Sequence, residues 1–91
     1  IGKHAEVVNS YINQGCVVDG KVKNSVLFTS VKVEKGASVE DAVLMPNVVI
    51  GEGAVIHRAI IAQGVKVDPG AMVGDPNSEH IELISKRVRC D

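Results

Sequence analysis

The chain has 91 residues, so it forms one small domain at most. Its formal net charge of −1 argues against general nucleic-acid binding, which needs a clear basic excess, and no apolar run approaches the roughly 20 residues of a membrane span. The hydrophobic content of 45% is that of a folded protein, but it includes one Phe, one Tyr and no Trp. The core must therefore be made of branched aliphatic residues, which favour strands, and we expect an all-β fold.

An internal repeat of 17 residues runs through most of the chain. Its rows are CVVDGKVKNSVLFTSVK at 16–32, VEKGASVEDAVLMPNVV at 33–49, IGEGAVIHRAIIAQGVK at 50–66 and the opening VDPGAMVG at 67–74. Upstream of these rows, VVNSYI resembles the VKNSVL that follows fifteen residues later, so we expect a shorter coil before the first row. Similarity at a fixed period indicates a repeat architecture, in which each repeat is one structural unit.

Large aliphatic residues occupy matching columns of this repeat. The three columns are Cys16, Val33, Ile50 and Val67; Val22, Val39, Ile56 and Val73; and Leu27, Leu44 and Ile61. Within a row these residues are six, five and six positions apart, which is a hexapeptide pattern with one residue removed from one side. This pattern is typical of a parallel β-helix, in which stacked coils of three short strands bury aliphatic faces that a single coil could not bury.

Tight corners are predicted where Gly36, Gly53 and Gly70 share a column with Asp19. Glycine tolerates the unusual backbone angles of such corners, and Asp tolerates them better than most other residues. The stretch Gly51–Glu52–Gly53 is interpreted as one of these corners and not as a nucleotide loop. A phosphate-binding loop needs a following helix N-terminus, and a strand is expected here instead.

The repeat ends after Val73. The stretch GDPNSEH at 74–80 is rich in turn-forming residues, and IELISKRV at 81–88 alternates like one more strand, which we expect to cover the last coil. The basic run KRVR at 86–89 is interpreted as a solvated face of that strand. The predicted organisation is a single β-helix domain over residues 1–91, with repeat coils over about 5–75 and a C-terminal cap over 76–91.

His57 and Arg58 interrupt the third row and are the first candidates for chemistry. Their columns also hold Glu40–Asp41 and Lys23–Asn24, so an outward, solvated position is expected for both. The alternative is a hexapeptide acyltransferase in which His57 takes a proton from the acceptor. Such enzymes usually extrude a long loop to build the cleft for the acyl donor, and the rows contain no insertion of that kind.

The three histidines do not predict a metal site. His4, His57 and His80 are 53 and 23 residues apart, and His4 and His80 fall near opposite ends of the stack, whereas a zinc site needs its ligands to converge. We therefore assign no catalytic, cofactor-binding or metal-binding residue to this chain.

Three stretches of the repeat also carry a family resemblance. GCVVDGKVKNSVLF at 15–28, VLMPNVVIG at 43–51 and AIIAQGVKVDPGAMVG at 59–74 resemble the C-terminal domain of bacterial glucose-1-phosphate adenylyltransferases, a similarity that extends over about residues 5–75. The resemblance implies a left-handed β-helix, a handedness that the spacing itself does not define. It also implies a structural, regulatory and oligomerisation domain of an enzyme that makes ADP-glucose from ATP and glucose 1-phosphate for glycogen biosynthesis.

By this resemblance, the catalytic residues and the Mg²⁺ of the parent enzyme belong to an N-terminal domain. The fragment alone is then not expected to be catalytic or to hold a cofactor. Its expected partners are that catalytic domain and the neighbouring subunits of a homo- or hetero-tetramer, in either a catalytic or a regulatory paralogue, with no nucleic acid or membrane. The alternative within this group is the β-helix domain of another sugar-nucleotide pyrophosphorylase, such as a mannose-1-phosphate guanylyltransferase.

One position departs from the pattern of the resembled family. Gln63 stands where some members carry a basic residue that contacts a phosphate-bearing activator, so no activator site is carried over to this chain.

The two cysteines and the chain start bear on the cellular context. Cys16 and Cys90 form neither a CxxC motif nor a zinc spacing, and there is no signal peptide, so we expect two reduced thiols in a cytoplasmic protein. The chain does not begin with Met, and a fragment of a longer protein is expected.

Overall fold

The computed structural model describes residues 5–75, 77 and 79–89, which form short parallel strands with no helix among them. The strands lie on three faces. The first face contains β1 (Glu6–Val8), β4 (Lys21–Lys23), β7 (Ser38–Glu40), β10 (Val55–His57) and β13 (Met72–Val73). The second face contains β2 (Tyr11–Ile12), β5 (Val26–Leu27), β8 (Val43–Leu44), β11 (Ala59–Ile61) and β14 (Glu82–Ile84). The third face contains β3 (Val17–Val18), β6 (Lys32–Val33), β9 (Val49–Ile50) and β12 (Lys66–Val67).

Successive strands of each face pair in parallel, so the chain visits all three faces once in every coil. The result is a β-solenoid of about four turns. The predicted all-β, parallel β-helix is thus confirmed, and the structure is consistent with the left-handed form that the family resemblance implies. The described residues contain no helix that is long and apolar enough to cross a membrane.

The first coil is shorter than those that follow it. Val7 lies in register with Val22, fifteen residues later, whereas Val22 lies in register with Val39, seventeen residues later. The short coil predicted from VVNSYI is therefore confirmed. The column assigned to Cys16 is wrong, because Val18 is the residue that lies in register with Val33.

The missing two residues fall in the corner between Val18 and Val22. For this reason Asp19 does not share the column of Gly36, as the fixed 17-residue period predicted. The Asp19 amide donates to the Val33 carbonyl at 2.9 Å, the equivalent of the bond from the Glu34 amide to the Ile50 carbonyl at 3.0 Å. The other predicted corners are confirmed, since Gly36, Gly53 and Gly70 have φ angles of 76°, 73° and 76°.

The predicted aliphatic columns form the core of the prism. Leu27, Leu44 and Ile61 lie in register across three coils, and each has 0% exposure. Burial of each such side chain contributes roughly 1.5–3 kcal/mol. Smaller buried residues pack near the corners: Val31, Val48, Val65, Ala37, Ala54 and Ala71. The absence of aromatic residues from the core follows from the narrow cross-section, which branched aliphatic side chains fill.

The C-terminal segment covers two faces of the last coil. β14 pairs with β11, and Val88 forms an isolated bridge to Val67. A strand was predicted over 81–88, and the structure forms one over Glu82–Ile84 only. Arg87 in the basic run is exposed as predicted, and its Nη2 lies 2.8 Å from Asp68 Oδ1.

Several sequence predictions concern residues outside the described part of the chain. These residues are 1–4, 76, 78, 90 and 91, which include His4, Cys90 and part of the predicted cap. Cys16 is described, and it is a free thiol whose Sγ donates to the Phe28 carbonyl at 2.9 Å.

Candidate functional site

His57 lies on the outer side of the first face, at the position that the repeat predicts. It is in register with Glu40, which is in register with Lys23. His57 Nδ1 lies 4.0 Å from Glu40 Oε2, a distance that is too long for a hydrogen bond. The His57 side chain is only 18% exposed, so it is more buried than a solvated surface residue. The predicted outward direction is confirmed, and the predicted full solvation is not.

Arg58 occupies a backbone position with left-handed geometry. Its φ angle is 47°, and the residues at the equivalent corner of the preceding coils are Asn9, Asn24 and Asp41, with φ angles of 49°, 51° and 53°. Asn and Asp adopt this conformation more readily than Arg does. The Arg58 amide donates to the Glu40 carbonyl at 3.1 Å, and the Arg58 carbonyl accepts from the Glu82 amide at 3.0 Å. Arg58 therefore belongs to the backbone ladder of a corner, and its position has a structural explanation.

Metal ligation finds no support in the described residues. Among residues 5–75, 77 and 79–89, no three His, Cys, Asp or Glu side chains come together in a way that could hold a metal ion. His80 lies in the bend before β14. The Mg²⁺ implied for the parent enzyme does not fit this set of residues, and we assign no step to a metal held by them.

The Gly51–Gly53 stretch forms a corner, as predicted. Gly53 has positive φ, whereas Gly51 is buried, and a Cβ on Gly51 would lie 2.5 Å from the Pro69 nitrogen and 2.7 Å from the Val67 carbonyl oxygen. Glycine is needed at Gly51 because the next coil packs directly against its backbone. Gln63, the position of the absent basic residue, is exposed in the turn after β11.

A shallow depression of about 560 Å³ opens at the N-terminal end of the stack, between the first and second faces. Val7, Tyr11, Asn24 and Val26 are among the residues that line it, and none of its lining residues carries a carboxylate, an imidazole, an amine or a thiol. The lining does contain the hydroxyl groups of Ser10, Tyr11 and Ser25, but a hydroxyl group is a weak nucleophile unless a base stands beside it, and none of the lining residues supplies one.

The clearest surface feature is a band without any charged side chain, which we call the neutral band. It consists of four segments from successive coils: 10–18, 24–31, 42–51 and 59–65. These segments contain four of the five strands of the second face, namely β2, β5, β8 and β11, together with the corner that follows each of them, and two of them continue into the third-face strands β3 and β9. The fifth strand of the second face, β14, lies outside the band and carries Glu82. The Asp, Glu, Lys and Arg residues between residues 5 and 73 all lie on the first face, on the third face or at the two corners beside the first face.

Apolar side chains point outward along the neutral band and continue onto β14 beside it. Tyr11, Val26, Val43 and Ile60 of the band lie in register with Leu83 of β14 on neighbouring strands of the second face. Tyr11 is 68% exposed and Leu83 is 70% exposed. Phe28, one residue beyond β5, is 36% exposed beside this row.

This surface was missed by the sequence prediction, although the sequence carries a signal for it. Asp, Glu, Lys and Arg are absent from the same part of successive repeats, at 24–31, 42–51 and 59–65. Charge depletion combined with aromatic side chains is the composition that distinguishes the centre of a protein interface from ordinary surface.

Comparisons with known proteins agree with this architecture. The curated relatives include glucose-1-phosphate adenylyltransferases of Clostridium perfringens (strain SM101 / Type A), Geobacillus stearothermophilus and Bacillus thuringiensis (strain Al Hakam), at 58%, 52% and 54% identity. The matches extend over 39 or 40 residues, which are 43–44% of this chain and 10% of each relative. The matched segment lies in the C-terminal part of the relatives.

A family profile matches a much larger share of the chain than these pairwise comparisons do. The family described as GlmU-like, C-terminal hexapeptide matches residues 1–85, which include every strand of the three faces. The chain therefore belongs to the GlmU-like C-terminal hexapeptide family.

Proposed function

We propose that the chain is the C-terminal structural, regulatory and oligomerisation domain of a glucose-1-phosphate adenylyltransferase. The observation that carries this proposal is the 52–58% identity to relatives of that name over a segment in their C-terminal part. In this proposal the full protein makes ADP-glucose and pyrophosphate from ATP and glucose 1-phosphate, and it does so in the cytoplasm. Mg²⁺ would be held by the parent's catalytic domain.

The geometry supports a role in positioning other parts of a protein. Three faces of continuous backbone ladder and a core of fully buried aliphatic residues make a stiff prism, since displacement of one coil would break pairing on all three faces at once. The described surface presents a broad apolar band along the second face. A rigid body of this kind can hold a catalytic domain and neighbouring subunits in fixed relation to one another.

The acyltransferase alternative has less support. His57 is the residue that it requires, and within the described residues its carboxylate contact is with Glu40 Oε2 at 4.0 Å, which is too long for the short hydrogen bond that orients a typical catalytic base. The described coils are regular at 15 and 17 residues, so no inserted loop stands beside His57 to form an acyl-donor cleft.

The test is an activity assay on the full-length protein that carries this chain. It is incubated with ATP, glucose 1-phosphate and Mg²⁺, alone and together with any catalytic paralogue of the same organism, and ADP-glucose and pyrophosphate are measured. The parallel reactions use GTP with mannose 1-phosphate, and an acyl-coenzyme A with an amine acceptor. We expect ADP-glucose formation that depends on the protein. Turnover only in one of the parallel reactions would replace this proposal with the corresponding alternative.

A further inference from the structure

We propose that residues 79–89, which we call the strap, open and close as one unit on the C-terminal end of an otherwise intact prism. In the closed state that the structure describes, the strap pairs with β11 on the second face and with β12 on the third face. In the open state, the edges of both strands are free to accept an extended segment of polypeptide. The strap thus controls access to this end of the prism, whatever reaction the full protein catalyses.

The strap buries much less apolar surface than the coil beneath it. Ile84 and Val88 are in register with Ile61 and Val67 and pack against the core, but both remain half-buried. Ile61 and Val67 are 0% and 2% exposed, whereas Leu83 on the outer side of the strap is 70% exposed. Because a segment with little buried apolar surface opens at a lower free energy than the core, the strap can open while the prism stays folded.

Backbone hydrogen bonds attach the strap at two points. On the second face, the Ala62 amide donates to the Ile84 carbonyl at 2.8 Å. On the third face, the Val88 amide donates to the Lys66 carbonyl at 3.0 Å. Both bonds join a strap residue to a prism residue, so both break when the strap opens and both amides then exchange with solvent.

An ion pair fastens the strap to the third face. Arg87 Nε donates to Asp68 Oδ1 at 2.8 Å, and Arg87 Nη2 lies 2.8 Å from the same oxygen. Asp68 lies in the corner after β12 and Arg87 lies in the strap, so this pair exists only in the closed state. An ion pair at the surface contributes modestly to stability and is screened by salt. Its effect is therefore expected on the opening of the strap and not on the unfolding of the prism.

The strap also replaces an uncharged edge by a charged one. β11 covers Ala59–Ile61 and carries no charged side chain, whereas the strap carries Glu82, Lys86 and Arg87. An unpaired edge is a template for pairing with another chain, and charged side chains on the edge oppose that pairing. Opening therefore exposes the edge that is better suited to the addition of a strand.

The experiment is hydrogen exchange of single amides, measured by nuclear magnetic resonance on the 91-residue chain and expressed as protection factors. The Ala62 and Val88 amides report the two attachment points of the strap. The Met45 amide, which donates to the Ile61 carbonyl at 3.0 Å one coil earlier, reports the prism. Thermal unfolding of each variant shows that it is folded.

Asp68→Asn is the variant that removes the ion pair, and Arg87→Gln takes its place should Asp68→Asn fail to fold. Glu52→Gln is the matched control. It also removes one negative charge from a corner on this side of the prism, where the described residues form no ion pair with Glu52.

We expect weaker protection at Ala62 and Val88 than at Met45 in the wild type. Asp68→Asn should lower protection at both strap amides by the same factor of about three to five, with no change at Met45. Sodium chloride at about 1 M, which shortens the screening length to about 3 Å, should act similarly on the wild type and have little effect on Asp68→Asn.

Equal protection of all three amides in the wild type would overturn the inference, because the strap would then open only when the whole chain unfolds. A loss of protection at one attachment point alone would show that the strap does not move as a unit. Unchanged protection in Asp68→Asn, or an equal loss in Glu52→Gln, would refute the fastening by the ion pair. None of these outcomes depends on the ADP-glucose assay, which tests the proposed function of the parent enzyme.

Discussion

Val18 lies in register with Val33, fifteen residues further along the chain, whereas Val33 lies in register with Ile50, seventeen residues further along. The difference of two residues is taken up by the corner that contains Gly20. A shorter corner brings the Gly20 backbone close to the next coil, where a Cβ on Gly20 would collide with the Ala37 carbonyl oxygen and would lie 2.9 Å from the Glu34 carbonyl oxygen.

Gly20→Ala should therefore be strongly destabilising. The expected loss in the free energy of unfolding is about 3 kcal/mol, because backbone atoms of the next coil cannot move aside without breaking ladder bonds. Gly53→Ala is the control, since a Cβ there meets nothing within 4 Å and only the φ of +73° resists the substitution, at about 1–2 kcal/mol. Urea unfolding measures both variants. A Gly20→Ala protein as stable as Gly53→Ala would contradict the close approach.

Arg58→Asn should stabilise the protein. Arg58 has a φ angle of 47° at a corner where Asn9 and Asn24 have almost the same angle. The left-handed conformation has a lower free-energy cost for Asn than for Arg. The expected gain is about 0.5–1 kcal/mol, which corresponds to a rise of several degrees in Tm for a domain of this size. Differential scanning calorimetry measures the change. Asp41→Asn, at the equivalent corner one coil earlier, should change Tm very little, and a lower Tm for Arg58→Asn would show that the Arg58 side chain is needed in place.

Ser25→Ala should destabilise the stack through a backbone group. The Ser25 hydroxyl is buried, donates to the Lys23 carbonyl at 2.8 Å and accepts from the Ala42 amide at 3.1 Å. Without this oxygen the Ala42 amide loses its acceptor, which costs about 1–3 kcal/mol for a buried donor. Ser38→Ala, on the outer side of the first face, is the matched control and should cost less than about 0.5 kcal/mol. Hydrogen exchange at the Ala42 amide should accelerate in Ser25→Ala, and unchanged exchange would refute the assigned bond.

Ile56→Asp should abolish folding, whereas Val55→Asp should not. Ile56 is fully buried in the column with Val39 and Val73, and an isolated carboxylate there costs several kcal/mol, comparable with the whole stability of a small domain. Val55 points to the outer side of the same strand, so its carboxylate remains hydrated. Far-ultraviolet circular dichroism and solubility distinguish the two proteins. A folded Ile56→Asp protein with wild-type heat stability would defeat the assignment of Ile56 to the core.

The columns of the repeat predicted the core because they have a direct physical meaning. Residues such as Leu27, Leu44 and Ile61 recur at one position of each coil, and they can leave water only if the coils stack in register. Period and burial are therefore linked, and the sequence was sufficient for the architecture. The outward position of His57 followed from the same reasoning, since a column that also holds Glu and Lys cannot face an aliphatic core.

The prediction failed where residues are missing from a coil. A gap of two residues between Cys16 and Val22 can be placed at several points without altering the apolar pattern, because Cys16 and Val18 are both acceptable core residues. Backbone hydrogen bonds decide between them, and the Asp19 amide pairs with the Val33 carbonyl. The partial burial of the His57 side chain could not be predicted from the sequence either, because it depends on how neighbouring coils cover the imidazole.

The sequence by itself determined that this chain is a parallel β-helix with an aliphatic core, because only stacked coils can bury columns repeated at such a short period. The tertiary structure alone decided which residues lie in register after the shortened corner, and it showed that four separate uncharged segments supply neighbouring strands of one face. The physical reason is that stacking brings residues fifteen or seventeen positions apart to neighbouring strands, about 4.8 Å from one another. A surface of this kind exists only once the register of every coil has been settled by its hydrogen bonds.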